Sequence, residues 1–225
     1  MTPRRRRVEP GYIYHVLNRG AQRQRLFLSQ NDYAEFESLI QETISRTPLS
    51  ILSYELMPNH WHFVVKPDDQ DQLSGFFQYV SGTHGKRFRA AHRTTGEGHV
   101  YQDRFKSFPV QSDGHFLTVC RYVERNALRA KLVCRAEDWR WSALWRRHHG
   151  RDHWLTSDWP VPRPHDWTDR VNQALTANEL AALHNSVRRG APLGAPGWAR
   201  EAADQLDLGH TLRSRGRPRI VTALR

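Results

Sequence analysis

The chain has little cysteine, little lysine and no long apolar run. Two Cys stand among its 225 residues. Cys120 and Cys134 are too few for a disulfide framework or a four-thiolate metal site. No apolar stretch approaches the roughly 18 residues needed to span a bilayer. The opening MTPRRRRVEPG is basic but has no apolar segment behind it, unlike a secretory signal. These absences point to a soluble protein of a reducing compartment, with no membrane partner. Acid is also scarce relative to base: 34 Lys and Arg face 23 Asp and Glu, a formal charge of +11. Only four of those basic residues are Lys. GC-rich coding accounts for Arg over Lys, but not for base over acid, so the excess points to a polyanion, most simply nucleic acid. Hydrophobic residues make up 38% of the chain, but eight Trp and an aromatic share of 11% are enough for a packed core.

The patterning alternates strands and helices. Residues 11–18 (GYIYHVLN) read as a strand, rich in β-branched and aromatic residues. Ser29 to Asp32 supply capping side chains for a helix marked by Tyr33, Phe36, Ile40 and Ile44 and stopped by Pro48. Residues 50–56 and 60–66 read as two strands separated by Met57-Pro58-Asn59. A helix with Leu73, Phe76, Phe77, Val80 and Phe88 follows. Residues 99–111 read as extended. Ser112 and Asp113 can cap a helix reaching Lys131, with Phe116, Cys120, Val123 and Ala127 inward. Short strand links favour an antiparallel or mixed sheet with helices on one side, an α+β sandwich. Six of the eight Trp then fall between Trp139 and Trp167, read as a hydrophobic subcore. A helix over 168–188, a Pro/Gly linker over 190–197, a short helix over 198–208 and a basic tail complete the chain. The division expected is 1–135 for the α+β domain and 136–225 for a Trp-rich, basic extension suited to contact nucleic acid.

His60-Trp61-His62 places two imidazoles at i and i+2. On a strand these face the same side and can reach one metal ion. Alone the pattern is weak, since 13 His in 225 residues produce such a pair by chance. On the later helix, Tyr122 and Asn126 are one turn apart and share a face beside the apolar stripe.

Taken together, HWHFVV after Pro-Asn, the YQDRFKS segment and RYVERNALRAKLV on a helix resemble the single-tyrosine HUH transposases (His, hydrophobe, His), and within them the REP-associated tyrosine transposases, IS200-like. The resemblance runs from residue 8 to about 145. It implies a ferredoxin-like, RRM-like HUH fold with a C-terminal helical and basic extension. It also implies Tyr122 as nucleophile, His60 and His62 as ligands of a divalent metal, and Asn126 as the third ligand. The reaction implied is cleavage and rejoining of single-stranded, palindromic hairpin DNA through a 5′-phosphotyrosine, in the cytoplasm of a bacterium and near its nucleoid. Related insertion-sequence enzymes are dimers that exchange tyrosine helices, whereas the REP-associated group can be monomeric, so monomer and homodimer both stay open.

The chemistry is coherent on its own terms. A metal on a non-bridging oxygen neutralises the phosphodiester. A phenolate is a good leaving group, so a tyrosyl phosphodiester can be resealed by a DNA 3′ hydroxyl. Two imidazoles and an amide suit Mn²⁺, and Mg²⁺ with the help of substrate and water oxygens. No Cys or third His is placed in sequence for Zn²⁺.

His15 on the first strand has two readings, lining the site or satisfying a backbone carbonyl. Asn18 and Arg19 at a strand end, Arg104 and Lys106 on the 99–111 segment, and Arg121, Arg125 and Arg129 around the nucleophile are candidate DNA contacts. Glu55 and Glu124 are acidic neighbours with no assigned role. Arg215 and Arg217, in RSRGRPR, resemble an AT-hook core suited to a narrow minor groove. With the run Arg4 to Arg7, they would make binding strongly salt-dependent. The rival readings are a catalytically silent hairpin-binding protein on the same fold, a replication-initiator nuclease, and a zinc hydrolase unrelated to DNA.

Overall fold

The computed structural model describes residues 7–151, 154 and 159–213. Arg215, Arg217 and most of the Arg4 to Arg7 run lie outside them. Among the described residues, no helix is long and apolar enough to cross a membrane.

Four strands form one sheet: β1 (Ile13–Arg19), β2 (Ser50–Met57), β3 (His60–Lys66) and β4 (Lys106–Val110). Their order is β2-β3-β1-β4, and every pairing is antiparallel. Helices α1 (Gln30–Arg46) and α2 (Gln72–Ala91) connect β1 to β2 and β3 to β4. This is the ferredoxin-like arrangement of two β-α-β halves. Each local start is legible in chemistry. Ser29 and Asp32 form a reciprocal capping box at the head of α1, which satisfies amide groups the helix cannot bond internally. Pro58-Asn59 makes the tight turn between β2 and β3, and Leu26 donates its N–H to the Pro58 carbonyl at 2.7 Å. Gly20 ends β1 where the chain turns so sharply that a Cβ there would lie 2.3 Å from the Gln24 carbonyl oxygen. Pro109 sits in β4, an edge strand, where a missing N–H is tolerated.

Helices cover both faces of the sheet, not one. Tyr14, Val16, Tyr54, Trp61, Phe63 and Val65 face α1 and α2 in the larger core. Ile13, Leu52, Val64, Phe108 and Val110 face a second core. Strands apolar on alternate residues of both parities require a cover on each side. The second cover is built from α3 (Gly114–Glu124), α4 (Asn126–Arg129), α6 (Trp167–Asn172) and α7 (Ala177–Arg189).

Other boundaries shift for identifiable reasons. Only residues 106–110 of the expected 99–111 extension are strand; residue 101 touches Gly20 through a single bridge. The expected helix to Lys131 breaks at Arg125, whose φ of −100° and ψ of 0° leave the helical well. The expected 168–188 helix is two helices, because Thr176 and Glu179 form a new capping box at the head of α7.

Part of the Trp-rich region packs on β2 as a short 3₁₀ turn at Ala136–Asp138 and α5 (Ala143–His148). Trp141 is buried in the larger core and Trp167 in the second. Arg146 of α5 bonds Glu37 at 2.5 Å and the Tyr54 hydroxyl at 2.7 Å, all three buried. The Pro/Gly segment runs beside the sheet edge, with Leu193 exchanging backbone hydrogen bonds with Pro109 and Gln111. It leads into α8 (Pro196–Gln205) and α9 (Gly209–Leu212).

Candidate active site

Strand parity puts His60 and His62 on the second face of the sheet. In the β1–β3 register His62 lies opposite Leu17 and His60 opposite Arg19. In the β2–β3 register Glu55 lies opposite His62. Tyr122, from the last turn of α3, descends onto this face, its ring centroid 5.8 Å from that of His62. His60, His62 and Tyr122 line one cavity of about 170 Å³ together with Asn18, Arg19, Arg104, Lys106 and Arg129. Elements far apart in sequence thus converge on one recess.

Each imidazole is held from behind. His60 Nδ1 lies 2.7 Å from Asn59 Oδ1. His62 Nδ1 lies 2.8 Å from His15 Nε2. Burial holds the His60 imidazole down to about 3, and Arg19 and Arg129 push the same way. Burial likewise holds His62 well below the usual range, with neighbouring His15 and His60 adding to it. Both rings are therefore neutral at physiological pH, the form that can ligate a metal. His15 does not line the cavity. It sits fully buried behind His62, and its Nδ1 has no partner.

The Tyr122 hydroxyl is pushed up by burial, and Arg129 and Arg19 pull it back. The Arg129 guanidinium lies 5.5 Å from the Tyr122 ring centroid. The same guanidinium donates to Asn126 Oδ1 at 2.6 Å. Asn126 is fully buried, and its Nδ2 has no partner. The structure therefore brings His60, His62 and Tyr122 together and places Asn126 behind Arg129 rather than on the cavity wall.

Two acids anchor this corner. Glu55 accepts the backbone N–H groups of Ala127 at 2.7 Å and Asn126 at 3.2 Å. Those bonds replace the helix's own and produce the break between α3 and α4. Burial raises the Glu55 carboxyl well above the usual range, and nearby Glu124 adds to it. Glu124 receives Ser53 at 2.7 Å, Trp167 at 2.7 Å and Arg147 at 3.1 Å. Sequence reading assigns neither acid a role; the signal for Glu55 is its parity with His62 across a short hairpin. His184 and Val187 of α7 also reach this corner, the first with its ring 6.1 Å from Tyr122, the second on the cavity wall. No sequence signal foretells that docking.

The basic candidates divide. Arg19, Arg104, Lys106 and Arg129 stand at the cavity and are exposed. Asn18 also lines it and donates to the Asp103 carbonyl at 3.2 Å. Arg121 and Arg125 turn the other way. Arg121 donates to the carbonyl of Arg170 at 3.1 Å and Arg125 to that of Asn172 at 3.3 Å. Helical phase explains Arg121, which leaves the Tyr122 face by about 100°; Arg125, three residues on, stands where the helix breaks.

A family model described as IS200-like transposase matches residues 10–126, just over half of the chain. No curated protein matches. Among solved structures, a REP-associated tyrosine transposase bound to a REP hairpin is 17% identical, with a TM-score of 0.53 over 79% of this chain and 99% of that one. A candidate transposase from Deinococcus radiodurans R1 is 16% identical, with a TM-score of 0.38 over 59% of this chain and 92% of that one. The first shares the fold described above, and the sequence match carries the family: the chain belongs to the IS200-like transposases.

Proposed function

We propose that this protein cuts and rejoins single-stranded DNA at the foot of a hairpin, through a 5′-phosphotyrosine on Tyr122 and with a divalent metal, Mg²⁺ or Mn²⁺. One observation carries the reading. Two neutral imidazoles and a tyrosine, brought from separate elements, line a single cavity whose rim is basic. The hairpin as substrate class is supported by the REP hairpin bound to the structurally similar protein.

The residues fit a metal in part by their own chemistry. His60 and His62 have their Nδ1 atoms engaged, which leaves both Nε2 atoms as donors. Among the described residues no three His, Cys, Asp or Glu converge on one point, so the two imidazoles have no third partner of those types. Asn126 would be the third ligand if its oxygen, now bonded to Arg129, were released. When bound, the metal would neutralise charge on a non-bridging phosphate oxygen. Arg19, Arg104 and Lys106 hold the DNA backbone against the recess. Arg129 and Arg19 favour the phenolate over the phenol. The Tyr122 oxygen forms a bond to phosphorus as the bond from phosphorus to the 3′ oxygen breaks. The phenol gives up its proton, and the departing 3′ oxygen ends as a hydroxyl. Rejoining is the reverse, with a 3′ hydroxyl attacking and tyrosine leaving.

The test is a labelled hairpin with unpaired flanks, incubated with the protein and Mn²⁺ or Mg²⁺. A covalent protein–DNA adduct is expected, and its loss in Tyr122→Phe. Cleavage by Tyr122→Phe names a different nucleophile. Tight hairpin binding with no adduct in either metal favours the silent binder.

A further inference from the structure

A second recess lies apart from the catalytic one, and no described residue lines both. It is a pocket of about 320 Å³ between α5 and the segment that leads into α6. Arg147 and His148 of α5 line one side, and Arg163 and His165 the other. Leu144 and Trp167 add an apolar part of the wall. All six follow the stretch that carries the family match.

Two of these residues are fixed by one buried acid. The Arg147 side chain is only 7% exposed and donates to Glu124 at 3.1 Å and to the Leu52 carbonyl. The Trp167 indole donates to the other Glu124 oxygen at 2.7 Å. Glu124 thus seats both and offsets the charge of Arg147. The remaining polar wall is donor chemistry. His148, Arg163 and His165 are exposed, and the Arg163 guanidinium lies 5.7 Å from the Trp159 ring centroid. No Asp or Glu stands among the described residues that line the pocket. Asp166, next to His165 in the chain, accepts from Arg170 at 2.8 Å instead.

We propose that this pocket binds a single nucleotide by its phosphate. A planar guanidinium fork matches phosphate oxygens. Each imidazole supplies an N–H whether neutral or charged. Donors carried by two separate segments can meet a tetrahedral anion from different directions. Leu144 and Trp167 give the sugar or base an apolar surface. A volume at the lower end of small-ligand cavities, about 300–1,000 Å³, suits one nucleotide and exceeds a bare ion. Such a unit comes free or as part of a DNA strand. The proposal stands apart from the cleavage chemistry above, since none of its residues belongs to that site.

Titration of the full chain in EDTA, followed by NMR at constant ionic strength, tests this. The probes are the four deoxynucleoside monophosphates and the matching nucleosides. At least one monophosphate is expected to bind about tenfold or more tightly than its nucleoside, the worth of hydrogen bonds to a charged group. Arg163→Ala and His165→Ala, both surface changes, should each weaken that binding, and the double variant should abolish it with Tm unchanged. Arg104→Ala, in the catalytic recess, should bind as wild type does. Repeating the titration on protein saturated with a hairpin separates the two sources. Competition assigns the pocket to a nucleotide of the strand, and simultaneous binding assigns it to a free nucleotide. The proposal is overturned if no monophosphate binds, if a nucleoside binds as tightly as its monophosphate, or if binding survives the double variant. Loss of binding in Arg104→Ala overturns it as well, by placing the nucleotide in the catalytic recess.

Discussion

His15 Nε2 and His62 Nδ1 lie 2.8 Å apart, and both rings are buried. One nitrogen must donate and the other accept. For His62 Nε2 to present a lone pair to the cavity, His62 Nδ1 must be the donor and His15 the acceptor. That tautomer leaves a proton on His15 Nδ1, the atom without a partner. An unpaired buried donor is costly, so the pair spends stability to aim His62. Replacing His15 by Phe should therefore keep the fold, since the ring sits among Phe108, His62 and Tyr122. Mn²⁺ affinity, read by calorimetry or electron paramagnetic resonance, should fall about 10- to 100-fold. Hairpin binding in EDTA should not move. An unchanged Mn²⁺ affinity would show that His15 does not orient His62.

Arg129 links Tyr122 and Asn126. Its positive charge favours the Tyr122 phenolate, so removing it raises the phenol's affinity for its proton. In Arg129→Gln the rise of adduct formation with pH should move to higher pH, and the rate at neutral pH should fall by about tenfold or more. A pH–rate profile of covalent adduct, wild type against variant, reads both. A profile that drops without moving would assign Arg129 to DNA contact alone.

Glu55 holds the break after Tyr122. Glu55→Ala leaves two buried N–H groups, of Asn126 and Ala127, without an acceptor. At about 1–3 kcal/mol for each buried unsatisfied donor, a stability loss of about 2–6 kcal/mol is expected in urea titration. Adduct formation should fall by more than the folded fraction does, because Tyr122 is no longer held over His62. A loss confined to stability would remove Glu55 from the positioning of the nucleophile.

Buried neutral histidines make the fold acid-sensitive. His84 is held down to about 4 by burial, from 6.5 in the unfolded chain. Below about pH 6.5 the unfolded state takes up a proton that the native state refuses until about pH 4, so stability falls as pH drops through that window. Its hydrogen bond with the Tyr101 hydroxyl, 2.8 Å, lies away from the catalytic recess. His84→Gln should lower Tm at pH 7 and flatten the decline in Tm between pH 6.5 and 4. A slope equal to that of wild type would place the acid sensitivity elsewhere.

The order of elements and the strand of His60 and His62 are legible in the sequence, because alternation and capping chemistry are local. Ser29 with Asp32, and Asp113 bonding the His115 amide at 2.8 Å, start helices where side chains say they start. What is not legible is non-local. Glu55 breaks the helix at Arg125 from another strand, so the one-turn spacing of Tyr122 and Asn126 does not give two side chains on one continuous face. Arg121 and Arg125 look like a basic clamp until α6 arrives to accept their hydrogen bonds. The second cover of the sheet is completed by α6 and α7, more than fifty positions downstream of the last strand, and periodicity within a strand cannot say what lies above it.

The pairing of Glu55 with His62 across the β2–β3 hairpin makes that hairpin a ruler. Adding or deleting one residue at Pro58-Asn59 would turn Glu55 to the opposite face of the sheet, while leaving His60, His62 and Tyr122 in the sequence. The loop from Thr94 to Gly98, by contrast, can change length without altering any strand register. Within this fold, then, tolerance to insertions is set by which turns count residues between the histidine pair and the acid that seats the helices carrying Tyr122 and Asn126.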